Sequence, residues 1–269
     1  MFQHLRLHIE QKFRDAPLLH LPFPHLIIED FFPLAVYQSL LAANPFPNNV
    51  GAEWISAAEA PTKTTTPYWA RKQINFHLNQ VFQAAPEHLA FWEAIQQSFL
   101  GDDRFANLVI AKYPEFFLLR FGELAATRGF AALLLKGFFL QRHEPGVYIG
   151  PHTDIPTRIA TCIFSFADSP GFEEYGTQLC VHRNPLVRWW GNDHHKPDDF
   201  VVRKVAHHQP NNLLLFFKTR QSFHAVKVID ATVPNQRHGM QFQLYEPPRS
   251  LFQDLSEPDL MVPKLNRQP

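Results

Sequence analysis

The sequence predicts a mainly β domain of the two-sheet jelly-roll type, preceded by helices. After about residue 115, nine short apolar runs separated by turn residues follow one another, close to the eight strands that a jelly roll needs. The composition, with 26 Phe and 23 Pro, is typical of short strands and loops. With 269 residues, 45% of them hydrophobic, the chain is long enough to bury one large core.

Residues 1–114 predict an N-terminal helical brace that contains one strand. Helices are predicted from apolar spacing, from proline at a helix start and from glycine at a helix end. They cover 2–14, 33–43, 86–101 and 102–113. The run 25–29 predicts the strand, and 44–67 predicts a loop.

Residues 115–247 predict the β core, and 248–269 predict a C-terminal tail of the same single domain, 1–269. The nine runs that predict strands are 116–121, 133–142, 147–152, 159–166, 177–182, 200–205, 213–217, 224–229 and 239–245. A long loop, 184–199, interrupts them. Loops of this length in a compact β domain tend to be functional.

Charge and cysteine content exclude several classes of protein. Lys+Arg and Asp+Glu both number 25, so the global charge indicates neither nucleic acid nor an anionic membrane as a partner. Cys162 and Cys180 lie in apolar runs and predict buried free thiols in a reducing compartment. The first residues lack the apolar core of a signal peptide, and no run is long enough to span a bilayer. We therefore expect a cytoplasmic protein.

A histidine and a carboxylate two residues apart, His152 and Asp154, form the first half of a candidate metal site. In an extended chain, side chains i and i+2 point to the same face, so both can bind one ion. The third ligand must come from a distant strand, and His224 is the candidate. Two histidines and one carboxylate with open positions left over suit a non-haem Fe(II) oxygenase.

Several segments together resemble the 2-oxoglutarate- and Fe(II)-dependent oxygenase superfamily, in its prolyl-hydroxylase-like branch. In chain order they are 23–32, Tyr148 with His152-Thr153-Asp154, 161–164, 176–179, 212–216, 224–226 and Arg237. The resemblance covers about residues 23 to 245 and implies a double-stranded β-helix (jelly-roll, cupin-like) core. It also implies that His152, Asp154 and His224 bind Fe(II), and that Arg237 anchors the distal carboxylate of 2-oxoglutarate.

The residue two places after the arginine is Gly239, where many members of this superfamily carry Ser or Thr. The second contact to the distal carboxylate must therefore come from another strand. Tyr148 shares a predicted face with His152, and Thr161 and Ser165 lie on the following strand. These three are the candidates.

The resemblance implies an enzyme that uses O₂ and decarboxylates 2-oxoglutarate to succinate while it hydroxylates a substrate. Related halogenases carry Gly or Ala at the position of Asp154, so hydroxylation is the expected outcome, with desaturation or ring closure left open. We expect a small-molecule substrate, an amino acid or a natural-product intermediate. Two alternatives remain: hydroxylation of a protein side chain of the prolyl type, and a metal-binding jelly roll without turnover. A buried Arg237 argues against the last, because a structural metal site needs no buried cation beside it.

Other polar and aromatic residues have a structural as well as a functional interpretation. The pairs His194-His195 and His207-His208 are expected in loops or at the surface, since adjacent residues of a strand point to opposite faces. His143 and His182 lie near the predicted site and contact either ligand or solvent. Trp189-Trp190 form either a lid over the substrate or part of a loop tucked on the sheet.

Five arginines fall in the predicted catalytic half of the chain: Arg142, Arg158, Arg183, Arg188 and Arg220. A solvated face is the usual explanation for scattered arginines. If two or more of them point into the pocket, we expect an anionic substrate.

Overall fold

The structure is a computed structural model and describes residues 2–43, 55–56, 71–76, 86–143, 145–167, 172–229 and 237–248. Its helices are α1 (Phe2–Asp15), α2 (Leu34–Ala42), α3 (Leu89–Leu100), α4 (Arg104–Lys112), α5 (Pro114–Phe121) and α6 (Phe130–Leu133). Its strands are β1 (His25–Ile28), β2 (Ile55–Ser56), β3 (Arg71–Asn75), β4 (Leu135–His143), β5 (Ile149–His152), β6 (Arg158–Phe166), β7 (Thr177–His182), β8 (Phe200–Ala206), β9 (Pro210–Phe217), β10 (His224–Val226) and β11 (Arg237–Tyr245).

The strands form two antiparallel sheets that face each other. The larger sheet has the order β1-β9-β6-β11-β4-β3-β2, and the smaller one has the order β5-β10-β7-β8. The eight strands from β4 to β11 divide equally between the sheets, which is the arrangement of a double-stranded β-helix. The predicted fold class is therefore confirmed, with β1, β2 and β3 extending the larger sheet at its two edges.

The helices cover one face of the larger sheet. Strand alternation sends every second residue towards them, as with Met240, which lies beside Leu140 and Phe164 in the register of three adjacent strands. Phe99 of α3 stacks on Phe138 of β4, with ring centroids 4.8 Å apart. These side chains belong to one continuous buried core that joins the helices to the sheet. The opposite face of the sheet is turned towards the smaller sheet and carries most of the polar residues discussed below.

The segment 116–121, predicted as a strand, is helical and forms most of α5. Proline fits at the start of this helix, because the first turn needs no N–H donor there. The helix buries three phenylalanines on one side and exposes two leucines: Phe116, Phe117, Phe121, Leu118 and Leu119. Because apolar residues lie on both sides of this helix, its sequence has the same continuous apolar pattern as a buried strand, which explains the wrong prediction. The first core strand is therefore β4, which begins at Leu135.

Two strands that the sequence analysis did not predict extend the edge of the larger sheet. β3 pairs with β4, and β2 pairs with β3. β2 lies within 44–67, which was predicted to be a loop; the rest of that segment and residues 249–269 of the predicted tail lie outside the described residues.

Both cysteines are buried free thiols, Cys162 in β6 of the larger sheet and Cys180 in β7 of the smaller sheet. In the part of the chain that the structure describes, no helix has the length and apolar character to cross a membrane.

Replacing Phe99 by alanine is expected to lower the free energy of unfolding by about 3–5 kcal/mol, because a fully buried ring is removed and a cavity remains. Urea denaturation followed by circular dichroism measures the change. Leu118→Ala, at a side chain that is 47% exposed on α5, is the control and should cost less than about 1 kcal/mol. Equal losses in the two variants would contradict the packing described.

Candidate metal centre

The two candidate histidines face each other on paired strands of the smaller sheet. His152 of β5 is in register with His224 of β10, and their ring centroids are 4.2 Å apart. Nδ1 of His152 donates to the carbonyl of Gly150 at 2.9 Å, and Nδ1 of His224 donates to the carbonyl of Ser222 at 3.0 Å. Because a carbonyl oxygen only accepts, Nδ1 carries the proton in both rings. Each Nε2 is therefore left as a lone-pair ligand for a metal.

Asp154 lies in the loop that follows β5, close to the two histidines. Its Oδ1 lies 3.7 Å from Nε2 of His224. One ligand atom from each of His152, Asp154 and His224 lies within 4.8 Å of the others, the only such group of three found within the described ranges. A single ion can bind all three without any change of strand pairing. The histidine and carboxylate pair predicted from the sequence thus lies beside the third predicted ligand.

Two side chains of β6 hold the carboxylate of Asp154. Nη1 of Arg158 donates to Oδ1 at 2.6 Å, and the Thr161 hydroxyl donates to Oδ2 at 2.7 Å. Burial by itself raises the pKa of Asp154, but the charge of Arg158 and the nearby histidines outweigh burial and bring the pKa below its ordinary value. The carboxylate is therefore ionised, as a metal ligand must be.

Burial keeps the two histidines neutral. It lowers the pKa of His152 well below its ordinary range, with a further contribution from His224. It also lowers the pKa of His224, partly offset by the charge of Asp154. Neutral imidazoles with free Nε2 atoms and an ionised carboxylate are the donor set that binds Fe(II) and similar divalent ions.

An open cavity with about 430 Å³ of empty space lies between the two sheets at this group. Besides the three candidate ligands, its polar lining consists of Arg71, His143, Arg158, Thr161, Thr177, Arg237 and Gln241. Its apolar lining consists of Ile149, Ile163 and Val226. The cavity therefore joins the candidate metal ligands to the predicted anchor Arg237.

Arg237 is buried in this cavity, and side chains from two other strands orient its guanidinium. Nη1 donates to Nδ1 of His143 at 2.8 Å, and Nη2 donates to the Thr177 hydroxyl at 3.1 Å. Since Nδ1 of His143 accepts, its proton is on Nε2. Burial, with a smaller effect of Arg71, lowers the pKa of Arg237 to about 10, so the guanidinium stays charged at neutral pH.

Two buried donors in this arrangement lack a partner within the described residues: Nε of Arg237 and Nε2 of His143. Leaving a buried donor unpaired is costly, and a carboxylate is the acceptor that a guanidinium binds best. These two donors could therefore hold a carboxylate, and the role of Arg237 as the anchor of 2-oxoglutarate stays a prediction.

The three side chains predicted as second contacts to that carboxylate lie in different places. Thr161 lines the cavity, but its hydroxyl donates to Asp154. Ser165 faces the same side of the sheet, yet it lines a second, smaller cavity on the other side of Arg237. The side chains that directly contact the guanidinium of Arg237 are His143 and Thr177.

Tyr148 does not line the cavity, which corrects the face predicted for it. Ile149 lines the cavity together with His152, although the two are three residues apart. The cause is a shift of register: His224 pairs with His152 but Val226 pairs with Ile149, so β5 carries one extra residue. This bulge breaks the alternation from which the face of Tyr148 was predicted, and the tyrosine hydroxyl lies near the backbone of Gly150 instead.

Gly239 has no room for a side chain. A Cβ at this position would lie 2.3 Å from the carbonyl oxygen of Phe164 on the adjacent strand β6. A serine or threonine, as in many members of the superfamily that the sequence resembles, cannot fit here unless β6 and β11 separate. This crowding explains why the contacts to Arg237 come from other strands.

The remaining histidines are only partly connected to the site. The ring of His194 lies 4.6 Å from that of His152 but is not part of the ligand group. His208 is buried and lines the second cavity, whereas His207 is exposed. His182 and His195 pack against Phe200 instead of lining either cavity.

Of the five arginines considered in the sequence analysis, only Arg158 lines the cavity. The cavity has another arginine, Arg71 on β3, which the sequence analysis missed together with its strand. A signal was present: Ile74 and Phe76 are buried and alternate with polar residues, the pattern of a strand with one buried face. The charged and amide residues of this short segment conceal the alternation.

The loop 184–199 is tucked against the metal-binding loop, the segment after β5 that carries Thr153 and Asp154. The Thr153 hydroxyl donates to the carbonyl of Gly191 at 2.6 Å, and neither Trp189 nor Trp190 lines the cavity. Two buried cations lie over the ring of Trp190: Arg120 at 5.4 Å and Lys218 at 4.7 Å from its centroid. Cation–π contacts therefore fasten this loop next to Asp154.

Lys218 is a fully buried cation on the far side of the metal-binding loop. Its amine donates to the Thr153 hydroxyl at 2.5 Å. Burial lowers the pKa of Lys218 to about 7, although the charge of Asp154 acts in the opposite direction. The amine is therefore held between its charged and neutral forms near neutral pH.

Comparison with solved structures relates the fold to known proteins. A prolyl-4-hydroxylase from Pseudomonas putida aligns with 90% of this chain and 98% of its own, with a TM-score of 0.50 and 13% identity. A prolyl 4-hydroxylase from Phytophthora capsici aligns with 97% of this chain and 72% of its own, with a TM-score of 0.49 and 15% identity. HygX from Streptomyces hygroscopicus, solved with nickel and 2-oxoglutarate, aligns with 82% of each chain, with a TM-score of 0.44 and 10% identity.

No protein-family model and no curated protein sequence matches the chain. At 13% identity, the similarity to the Pseudomonas putida enzyme establishes a common fold. The arguments about function therefore depend on the residues of the site.

Replacing Lys218 by methionine is expected to remove a pH dependence of stability. The pKa of Lys218 is about 7 in the folded protein and near 10.4 in the unfolded chain. At a pH between these two pKa values, the unfolded chain binds one more proton at Lys218 than the folded protein does. The free energy of unfolding of the wild type therefore rises with pH, and this group contributes up to about 1.4 kcal/mol per pH unit. Urea denaturation at pH 7, 8 and 9 measures the slopes. Identical slopes in both proteins would contradict the lowered pKa of the buried amine.

Proposed function

We propose that the chain is an Fe(II)- and 2-oxoglutarate-dependent oxygenase that hydroxylates an unactivated C–H bond of a small molecule. The observation that carries this proposal is the presence of two features in one cavity: a group of two histidines and one carboxylate, and a buried arginine with unpaired donors beside it. Three ligands on one side leave positions open for a keto acid and O₂. A purely structural metal site accounts for the first feature but not for the second.

When bound, Fe(II) with 2-oxoglutarate and O₂ supplies the oxidising chemistry, in which the keto acid becomes succinate and CO₂ and one oxygen atom enters the substrate. His152, Asp154 and His224 hold the ion. Arg237 and His143 bind the distal carboxylate through donors that otherwise have no acceptor within the described residues. Thr161 and Arg158 keep the carboxylate of Asp154 oriented and ionised.

A small-molecule substrate, an amino acid or a natural-product intermediate, is supported by the concave site between the two sheets, where polar side chains from several strands converge beside Ile149, Ile163 and Val226. The second candidate is hydroxylation of a protein side chain of the prolyl type, and the observation that favours it is the fold shared with a prolyl-4-hydroxylase. A cytoplasmic location is part of the proposal and is supported by the two free thiols.

Succinate release tests the proposed function directly. Wild-type protein with Fe(II) and 2-oxoglutarate should form succinate, and His152→Ala and Asp154→Ala should reduce the rate by about 100-fold or more, because each removes a metal ligand. Mass spectrometry of succinate measures the rates. His207→Ala, which changes an exposed histidine, is the matched control and should keep the wild-type rate. Equal release by all four proteins would overturn the oxygenase proposal.

Binding of 2-oxoglutarate tests the role of His143. His143→Phe keeps a ring but removes both the acceptor for Arg237 and the Nε2 donor, so the Kd for 2-oxoglutarate should rise by about 10- to 100-fold. The Kd for the metal should not change, because His143 is not a ligand. Isothermal titration with Co(II)-loaded protein measures both constants. Ser165→Ala is the control, and a larger effect there than at His143 would assign the contact to the other cavity.

A further inference from the structure

Strand pairing fixes only one of the two candidate ligands that β5 and its loop supply. The pairing of β5 with β10 ends at His152, and Asp154 lies two residues further on, outside any strand. Arg158 and Thr161 hold the oxygens at the tip of the Asp154 side chain. The backbone that carries Asp154 needs a separate support, because a metal site requires its ligands to be held within about 0.5 Å of one geometry.

Thr153, which separates His152 from Asp154, provides this support with its hydroxyl. Both neighbours line the cavity, whereas Thr153 does not line it and is completely buried against other segments. The hydroxyl donates to the carbonyl of Gly191 at 2.6 Å and accepts from the amine of Lys218 at 2.5 Å. One hydroxyl therefore joins the metal-binding loop to two other parts of the chain.

Lys218 connects the two sheets at this point. It follows β9 directly, and its backbone N–H donates to the carbonyl of Ile159 in β6 at 2.8 Å, so its backbone belongs to the larger sheet. Its side chain reaches the loop that continues β5 of the smaller sheet. The amine has N–H donors in its charged and its neutral form, so the contact with Thr153 does not depend on protonation. The link holds the metal-binding loop against the sheet that carries Arg158 and Thr161.

The loop 184–199 packs against the same amine from another side. The ring centroid of Trp190 lies 4.7 Å from Nζ of Lys218. The backbone N–H of His195 donates to the carbonyl of Pro151 in β5 at 2.8 Å. This loop is therefore attached both to the lysine and to the strand that precedes the metal-binding loop.

Complete burial of a lysine amine is unfavourable for folding unless its contacts compensate for the lost water. A methionine of similar length would fill the same space without that cost. We propose that Lys218 is a positioning residue of the metal centre: through the Thr153 hydroxyl it holds the backbone between His152 and Asp154 at the spacing that one divalent ion needs. This proposal rests on the proposed function and adds a residue to its site.

Co(II) binding tests this role without turnover. Competition with a fluorescent chelator measures the Kd, and the visible absorption of the ion at saturation reports the arrangement of its ligands. Lys218→Met should raise the Kd by about ten-fold or more and shift the absorption bands, because a group that orients a ligand is lost. Thr153→Val removes only the hydroxyl and should have the same effect. Thr153→Ser, which restores a hydroxyl, should recover most of the affinity.

The double variant with Lys218→Met and Thr153→Val should bind Co(II) about as weakly as either single variant, because both changes remove the same contact. Lys112→Met is the matched control. The amine of Lys112 donates to the carbonyl of Phe13 at 2.6 Å and joins α4 to α1, outside both cavities. This variant also loses a tertiary contact of a lysine, but its Kd for Co(II) should stay within two-fold of the wild-type value.

A wild-type Kd in Lys218→Met, or weaker binding with an unchanged spectrum, overturns the positioning role. An equal loss in Lys112→Met also overturns it, since general destabilisation would then be the cause, and so do effects that add in the double variant. If circular dichroism shows that Lys218→Met does not fold, Thr153→Val, which breaks the same contact, decides by the same criteria. Absence of saturable Co(II) binding to the wild type overturns the proposed function itself, and this is seen before any variant is compared.

Discussion

The pairing of β5 with β10 is the constraint on which the site depends. It places His152 directly opposite His224, two residues that are far apart in the chain, and fixes their rings 4.2 Å from each other. A slip of one residue would turn one of the rings to the other face of the sheet. Hydrogen bonds from each Nδ1 to a carbonyl of its own segment then set the direction of both Nε2 atoms. Strand register and backbone carbonyls thus fix the positions of the two candidate ligands without a metal ion.

The charges between the sheets are arranged around this pairing. Each oxygen of Asp154 accepts a hydrogen bond from β6, so the carboxylate remains ionised despite its burial. The anchor region has the opposite character, with buried Arg237 next to neutral His143 and donors that lack acceptors within the described residues. A buried cation without an acid is unfavourable for folding alone and is typical of functional sites. The two regions together favour a ligand that is anionic at one end and binds a metal at the other.

Sequence patterns predicted the eight strands from β4 to β11 and the three residues that lie together at the candidate metal site, because apolar runs and the His-x-Asp spacing are local features. The predictions from the sequence were wrong or incomplete where contacts between distant segments determine the local structure. The bulge in β5, which moves Tyr148 off the cavity face, depends on pairing with β10. The apolar residues on both sides of α5 fit a strand or a helix equally well, and β3 with Arg71 has too few apolar residues to stand out. Contact between His143 and Arg237 requires knowledge of which strands are neighbours.

The crowded backbone at Gly239 has a consequence for how such sites are recognised. Sequence signatures describe an anchor by residues at fixed intervals along one strand, yet here the groups that assist the arginine are contributed by β4 and β7. A signature that demands a hydroxyl residue two places after the arginine would pass over this chain. In this chain the residues that contact the arginine lie on other strands and are far from it in the sequence, so only strand pairing and sheet packing reveal them.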